Sequence, residues 1–395
     1  MILSKGCFNA ALALMFVISK PKVKCLSFHQ YDTNTTIMEK TVTKLDYSGQ
    51  NIYIGLDTHL KSWKTTIRVG DTFYKTFSQD PKAEVLSNYL QEHFPGGHYY
   101  SAYEASFSGF KAHRELTKLG INNMVVNPAD IPTTDKDRKQ KEDARDSRKI
   151  AEQLAASSLV GIHIPNIEIE GDRALIRFRK TLTKEIARNK IRVKSFLYYH
   201  GIDIPACFTR YSCWSRRFIT WLEDLELPSQ SAKSTLNTIV ELVLFLRTKH
   251  LEVLKHIRAL SKQASYKTNV ALLLSVPGIG LITAMTLLTE IEDVSRFKTL
   301  DQFCAYIGLV PMTNSSGESH RVRGMTKRQN KLLRMMIIES SWVAIRHDPA
   351  LMLAYQKLVV RMKPNKAIIR IAKKIINRIR YVLKNQTPYV KAMVE

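Results

Sequence analysis

The sequence predicts a mixed α/β domain, then a long helical arm, then a mainly α-helical domain. Three observations carry this. Short β-rich runs alternate with helical spacing between residues 51 and 126, as in an α/β domain with parallel strands. Two long apolar seams follow, over 171–199 and 236–260. The remainder is apolar helix broken by a Val276-Pro277-Gly278-Ile279-Gly280 turn and closed by a basic helix. The expected boundaries are an extension over 1–50, the α/β domain over 51–160, the arm over 170–265 and the C-terminal domain over 266–390.

Composition narrows the function. Sixty Lys and Arg stand against 35 Asp and Glu, a formal charge of +25 in 395 residues. Such an excess implies a polyanionic partner, most simply nucleic acid. No stretch reaches the length of a membrane-spanning helix, so no membrane partner is expected. Five widely spaced cysteines form no CxxC pair and read as reduced thiols of a cytoplasmic protein. Cys7–Ile18 resembles a signal-peptide core without a small-residue cleavage site, whereas Met38 opens a natural-looking start. Residues 1–37 are therefore expected to be an extension with no folded role, a reading that abundant native peptides preceding Met38 would overturn.

Asn51–Ile67 opens the α/β domain. Ile52, Ile54 and Leu56 alternate, Asp57 follows, and Trp63–Val69 returns as a second strand. Asp57 reads either as a turn-capping aspartate or as a carboxylate delivered by a strand. Thr72–Phe77 extends the sheet, Lys82–His93 is helical, and His98–Tyr103 is a strand with Glu104 at its end. Gly109–Leu119 is helical and Ile121–Val126 another strand. Ala129–Gln140 reads as a loop and Lys141–Ala156 as a helix.

In the arm, Leu175, Phe178, Leu182, Ile186, Val193 and Phe196 recur at helical steps, with Asn189 in the series. Ile239, Val243, Leu246, Val253, Ile257 and Leu260 do the same, with His250 among them. Two such seams predict an antiparallel coiled coil, with Asn189 and His250 as polar seam residues fixing register. The two helices around Gly278 and Gly280 have a helix-hairpin-helix pattern, in which glycine backbone and helix N–H groups can meet a phosphate; a plain αα-corner is the competing reading. Phe297–Leu309 is helical and stops near Gly308. Val310–Lys327 reads as a polar loop and Gln329–Ile345 as a helix. Lys366, Arg370, Lys373 and Lys374 stud the basic face of the last helix, a surface suited to tracking phosphates.

Four carboxylates gather meaning together. Asp57 and Glu104 end strands, and Asp143 and Asp146 stand three apart on one helix face. Such a cluster calls for divalent cations, and hard oxygen donors suit Mg²⁺ or Mn²⁺. The motifs GLDTH, YEASFSG, VVNP, KEDARDSRKIAE, LLLSVPGIG, RFKTLDQFCAYIGLVP and SSGESHRVRGMTK occur in order between about Tyr53 and Tyr389. With them the chain resembles the DEDD-type insertion-sequence transposases, a family described as bridge-RNA-guided DNA recombinases. The resemblance implies an RNase H-like N-terminal domain of the RuvC type, with Asp57, Glu104, Asp143 and Asp146 holding metal. It also implies a C-terminal domain whose Ser316, or the adjacent Ser315, attacks DNA and forms a covalent link, activated by metal held on the other domain; His320 is the local alternative base. Donor and target DNA, a structured guide RNA, assembly into dimers or tetramers and a place at the prokaryotic nucleoid come with it. Gln329 departs from the family's usual glycine and Ser147 from its usual alanine. A junction endonuclease using metal-activated water, and a catalytically inactive nucleic-acid-binding protein, are the competing functions.

Overall fold

A computed structural model describes residues 46–132, 142–208, 213–316 and 319–391, with backbone only for 313–316 and 319–323. Residues 1–37 and most of the expected loop over Ala129–Gln140 lie outside the described residues. The chain divides into two compact units, Met1–Ile164 and Pro165–Glu395.

In the first unit the alternation at Ile52, Ile54 and Leu56 becomes strand β1, Asn51–Thr58. It pairs antiparallel with β2, Trp63–Val69, which pairs antiparallel with β3, Thr72–Gln79. On its other side β1 pairs parallel with β4, His98–Glu104, which pairs parallel with β5, Asn122–Val126. The order is therefore β3-β2-β1-β4-β5, with β1 central. One face buries Ile52, Ile54, Leu56 and Ile67 against helix α1, Ala83–His93, and helix α2, Lys111–Lys118. The other face is covered by helix α3, Asp143–Ala155, through Ile150 and Leu154 against Ala102 and Val126.

The two edges of this sheet differ. Beside β5 the chain returns at Gly161 and Ile162, which bond to the backbone of Val126 and Val125. Among the described residues, strand β3 has no strand beyond it and leaves Phe73 and Tyr74 about half exposed. Residues 46–50, assigned to the extension from sequence, instead join the domain. Tyr47 donates its backbone N–H to Pro95 and lies edge-on to Phe94, with ring centroids 5.1 Å apart.

In the second unit, α4, Ile167–Tyr199, and α6, Gln230–Leu260, form the arm. Ile176 near the start of α4 shares a core with Ile257 and Leu260, while Val193 and Leu197 share one with Leu236 and Val240, so the helices run antiparallel. The seam is shifted from the expected one. Phe178 is 51% exposed, and Ile176 and Leu197 are buried in the series instead. The cause is the drift of a straight 3.6-residue helix against the assumed step. Asn189 is buried and satisfied locally, donating to the Glu185 carbonyl at 2.9 Å and accepting from Arg192 at 2.9 Å. Between the arm helices, where sequence suggested only a connection, α5, Arg216–Asp224, packs Phe218 and Trp221 with Phe208.

Helices α7, Ala264–Leu274, and α8, Leu281–Ile291, flank the Val276–Gly280 turn. Helix α9, Leu300–Ile307, begins with a Thr299/Gln302 capping box and ends at Gly308 in the left-handed region. The expected polar loop is a correction. Pro311–Ser316 and Ser319–Met325 form an antiparallel hairpin, β6 and β7, in which Thr313 pairs with Val322. The strands hold a single β-branched residue each, Thr313 and Val322, so composition gives little β signal and the order comes from cross-strand backbone pairing. Helices α10, Lys331–His347, α11, Pro349–Val359, and α12, Pro364–Asn385, complete the unit; α11 was not foreseen. Ile368, Ile371, Ile375, Ile376 and Ile379 of α12 are buried in one core with α8, α9 and α10.

Candidate active site

Strand register places the first two carboxylates. Asp57 is the next-to-last residue of β1 and shares its face with Gly55. A Cβ on Gly55 would lie 2.1 Å from the Ser147 carbonyl oxygen and 2.5 Å from the Ala151 nitrogen. Helix α3 therefore rests directly on the backbone of β1, and only glycine permits that approach. Gly55 pairs with Ala102 and Leu56 with Tyr103. Glu104, two residues beyond Ala102, thus lies on the α3 face of the strand next to Asp57.

Helix α3 supplies the other pair. Asp143 and Asp146 occupy its first turn, where the helix dipole favours acids. The helix is anchored at Ser147, which is fully buried. Its Oγ lies 2.9 Å from Thr66 Oγ1 on β2 and donates to the Ala144 carbonyl at 3.2 Å. Ser147 thus makes hydrogen bonds that an alanine there would lack. Asp57 and Asp143, with His59, place three ligand atoms within 4.8 Å of one another. His59 Nε2 lies 3.3 Å from Asp57 Oδ2 and 3.5 Å from Asp143 Oδ2. Burial pushes the Asp57 carboxyl above its ordinary value; His59 opposes this, and Asp143 and Asp146 add to it.

Asp57, Asp143 and Asp146 are thus brought into one electrostatic neighbourhood, and Glu104 is set on the same face of the sheet. His59 was not singled out from sequence. Its signal was its place two residues after Asp57 in GLDTH, since imidazole also ligates metals. The donor set, carboxylate oxygens with one imidazole, fits a divalent cation.

The second unit holds the remaining candidates. Ser316 is the last residue of β6 and pairs with Ser319; Ser315 pairs with His320. The hairpin runs into α10, where Arg334 donates to the Thr326 carbonyl at 3.2 Å and also to Gln329 Oε1. Gln329, the departure from glycine, thereby ties the end of the hairpin to the helix. At the α7–α8 turn, Gly278 has φ +83°, and a Cβ there would lie 2.2 Å from the Ser340 carbonyl oxygen of α10. That glycine is required by helix packing. Gly280 caps α8, is exposed, and faces open space. On α12, Lys366, Arg370 and Lys374 are exposed and Lys373 is half-buried. Arg378 and Arg380 are engaged otherwise: Arg378 pairs with buried Asp348 at 3.0 Å, and Arg380 donates to the Phe297 and Lys298 carbonyls. His250 lies 3.4 Å from Thr183 Oγ1 in the arm, as a polar seam residue should. Among the described residues no helix is long and apolar enough to cross a membrane.

Known proteins place this arrangement. Residues 103–200 match the family model described as "Transposase" under the heading DEDD_Tnp_IS110, and residues 270–356 match that of the "Transposase IS116/IS110/IS902 family". The chain is 29% identical over 245 residues to "Putative transposase y4qE" of Sinorhizobium fredii, covering 62% of this chain and 58% of that protein. It is 27% identical over 253 residues to the "Transposase for insertion sequence element IS1533" of Leptospira borgpetersenii, covering 62% and 70%. A third relative, "Putative transposase y4rJ" of Sinorhizobium fredii, is 30% identical over 300 residues, or 69% of this chain and 74% of its own length. With that breadth of match, the chain belongs to the IS110 family of transposases.

Proposed function

We propose that this chain is the transposase of an insertion sequence, cleaving and exchanging DNA strands by phosphoryl transfer. The observation that carries the reading is the meeting of Asp57, His59 and Asp143 ligand atoms within 4.8 Å, beside Asp146, in a chain of this family. The sheet order, with a three-stranded antiparallel part joined to parallel β4 and β5 and an acid-bearing helix on the central strand, supports an RNase H-like assignment.

Asp57, Asp143, Asp146 and Glu104 would hold Mg²⁺ or Mn²⁺, which supplies charge neutralisation at the reacting phosphate and activation of the attacking oxygen. The chain's own groups do the rest. Asp57 is held rigidly by the central strand, and α3 is fixed against it by Gly55 and the Ser147–Thr66 hydrogen bond. His59 bridges two carboxylates and limits the rise in the Asp57 carboxyl that burial imposes. Ser316, the last residue of β6, is the proposed nucleophile, with Ser315 its neighbour. The first turn of α8 beginning at Gly280, and Lys366, Arg370, Lys373 and Lys374, are proposed to meet the DNA backbone. The helix-hairpin-helix assignment of α7 and α8 rests on that contact. Guidance by a structured RNA, and assembly into dimers or tetramers through the arm, follow from the family resemblance.

A trapping assay tests this. Protein, Mg²⁺, RNA transcribed from the flanks of the gene and labelled donor and target DNA are combined and run on a denaturing gel. A protein–DNA adduct that disappears in Ser316→Ala and in Asp57→Asn is expected. Cleavage without an adduct would replace this reading with a metal-only nuclease, and binding without cleavage would leave a nucleic-acid-binding protein.

A further inference from the structure

The arm carries an accumulation of positive charge that neither the carboxylates nor the hairpin explains. Residues 179–194 of α4 contain Arg179, Lys180, Lys184, Arg188, Lys190, Arg192 and Lys194 against the single acid Glu185. That acid is already engaged by Arg188 at 2.8 Å. Across the seam, residues 239–258 of α6 carry Arg247, Lys249, Lys255 and Arg258 against Glu241 and Glu252, and Glu252 is taken by Lys249 at 2.9 Å.

Several of these cations lie together along the seam between α4 and α6. Arg179 and Lys190 are eleven residues apart, about three helical turns, so they share a face, and Lys194 follows one turn later. From Arg179 to Lys194 the stripe runs about 22 Å at 1.5 Å per residue. From α6, Arg247 reaches the same place. It donates to the Trp214 carbonyl at 3.1 Å, while the Lys190 ammonium sits 5.1 Å over the Trp214 ring. Burial, then Arg247, with Lys194 adding, pushes the Lys190 ammonium below its ordinary value. Further along, Arg179 Nε is buried with no hydrogen-bond partner among the described residues. It lies near enough to His250 for its charge to act on that ring.

An ordinary solvated face spreads its charges and points them into water. Here Arg179, Lys190 and Lys194 are half-buried in a line, so the fold bears a repulsion that an external polyanion would relieve. A straight row of fixed cations on rigid helices suits the regular phosphates of a duplex. A single strand would instead call for open stacking rings within the stripe itself, and Trp214, the ring that meets it, is covered by Lys190.

We propose that the stripe formed by Arg179, Lys190, Lys194 and Arg247 binds the phosphate backbone of a nucleic-acid duplex. This deepens the function proposed above and rests on it only for the identity of the polyanion.

The test uses the full chain and its Lys190→Gln/Lys194→Gln/Arg247→Gln variant. Affinity for a DNA duplex, the RNA duplex of the same sequence and a single strand is measured by fluorescence anisotropy across a salt series. For the duplex that binds, the slope of log affinity against log salt is expected to fall by about 2–3, with a loss of about tenfold or more near physiological salt, independent of sequence. The thermal midpoint is expected to hold or rise, since like charges are removed. If the triple variant loses helical circular dichroism, Lys194→Gln alone decides, with a slope change of about 1 expected. An unchanged slope and affinity, a loss confined to the single strand, or a wild-type chain that binds neither duplex overturns the proposal. Asp57→Asn keeps the two readings apart, because it should abolish cleavage and leave this binding intact.

Discussion

At Asp57 the protein holds a half-buried carboxylate beside two other acids, and this has a pH signature. Its carboxyl is raised above the ordinary value by burial first, so in the metal-free protein the folded state binds a proton more tightly than the unfolded one. Stability from this group is therefore present at low pH and is lost as pH rises from the ordinary carboxylate range, near 3.9, through the raised value. Thermal midpoints recorded across that range in chelator should show the decline in wild type and lack it in Asp57→Asn, which should be the more stable protein at neutral pH. Divalent metal should narrow the difference, and its affinity should weaken as protons compete. Gly55→Ala places a methyl group against the backbone of α3 and should cost about 1–3 kcal/mol by denaturant titration, with reduced metal affinity because Asp143 and Asp146 move with the helix. Much of this site was legible in the residues. Asp57 ended an alternating run, and Asp143 and Asp146 had helical spacing. His59 was not, because nothing in a sequence shows that a turn folds its ring back over the strand end.

Among the elements, α4, α8 and α10 meet at a buried acid. Glu290 on α8 is 1% exposed. It accepts from Arg177 of α4 at 2.7 and 2.8 Å and from the Asn330 amide at 2.8 Å, while the Tyr306 hydroxyl donates to its carbonyl at 2.8 Å. Asn330 also caps α10, directly after the β6–β7 hairpin. Removing one partner of a buried pair leaves a charge without compensation. Arg177→Met should cost about 3 kcal/mol, the low end for such a change because Arg177 half faces water, and Glu290→Gln/Arg177→Met should recover part of it. A double-mutant cycle by chemical denaturation checks both. Sequence periodicity located these three helices, since their apolar faces repeat strongly. It missed α11, a short helix that follows α10 after one capping residue, and it missed the hairpin, where polar residues and glycine hide an order that comes from cross-strand pairing. It also set the ends of the arm seam one position off, at Leu175 and Phe196 rather than Ile176 and Leu197, and placed exposed Phe178 in it, because heptad and straight-helix steps diverge slowly along a helix of 33 residues.

At the scale of the whole molecule, the two units have separate cores. Residues 46–164 expressed alone should keep their circular dichroism spectrum and the Asp57 pH response, and melting of the full chain should resolve two transitions. Loss of all structure in the fragment would show that its stability is borrowed. The alternation of strand and helix was enough to foresee the first unit, and helical periodicity most of the second, the β6–β7 hairpin and α11 apart. The division at residue 164 was foreseen only as a shift in composition. Such a fragment also exposes what the unequal edges of its sheet mean. The β5 side is closed by the returning chain, whereas β3 pairs with no further strand among the described residues and carries half-exposed Phe73 and Tyr74. That strand can recruit a copy of itself, so concentrated preparations should form dimers and then fibrillar aggregates through β3. Lys75, which directly follows these two rings in β3, is the charge that opposes this growth. Replacing it with Thr should hasten aggregation, and proline at Tyr74 should suppress it.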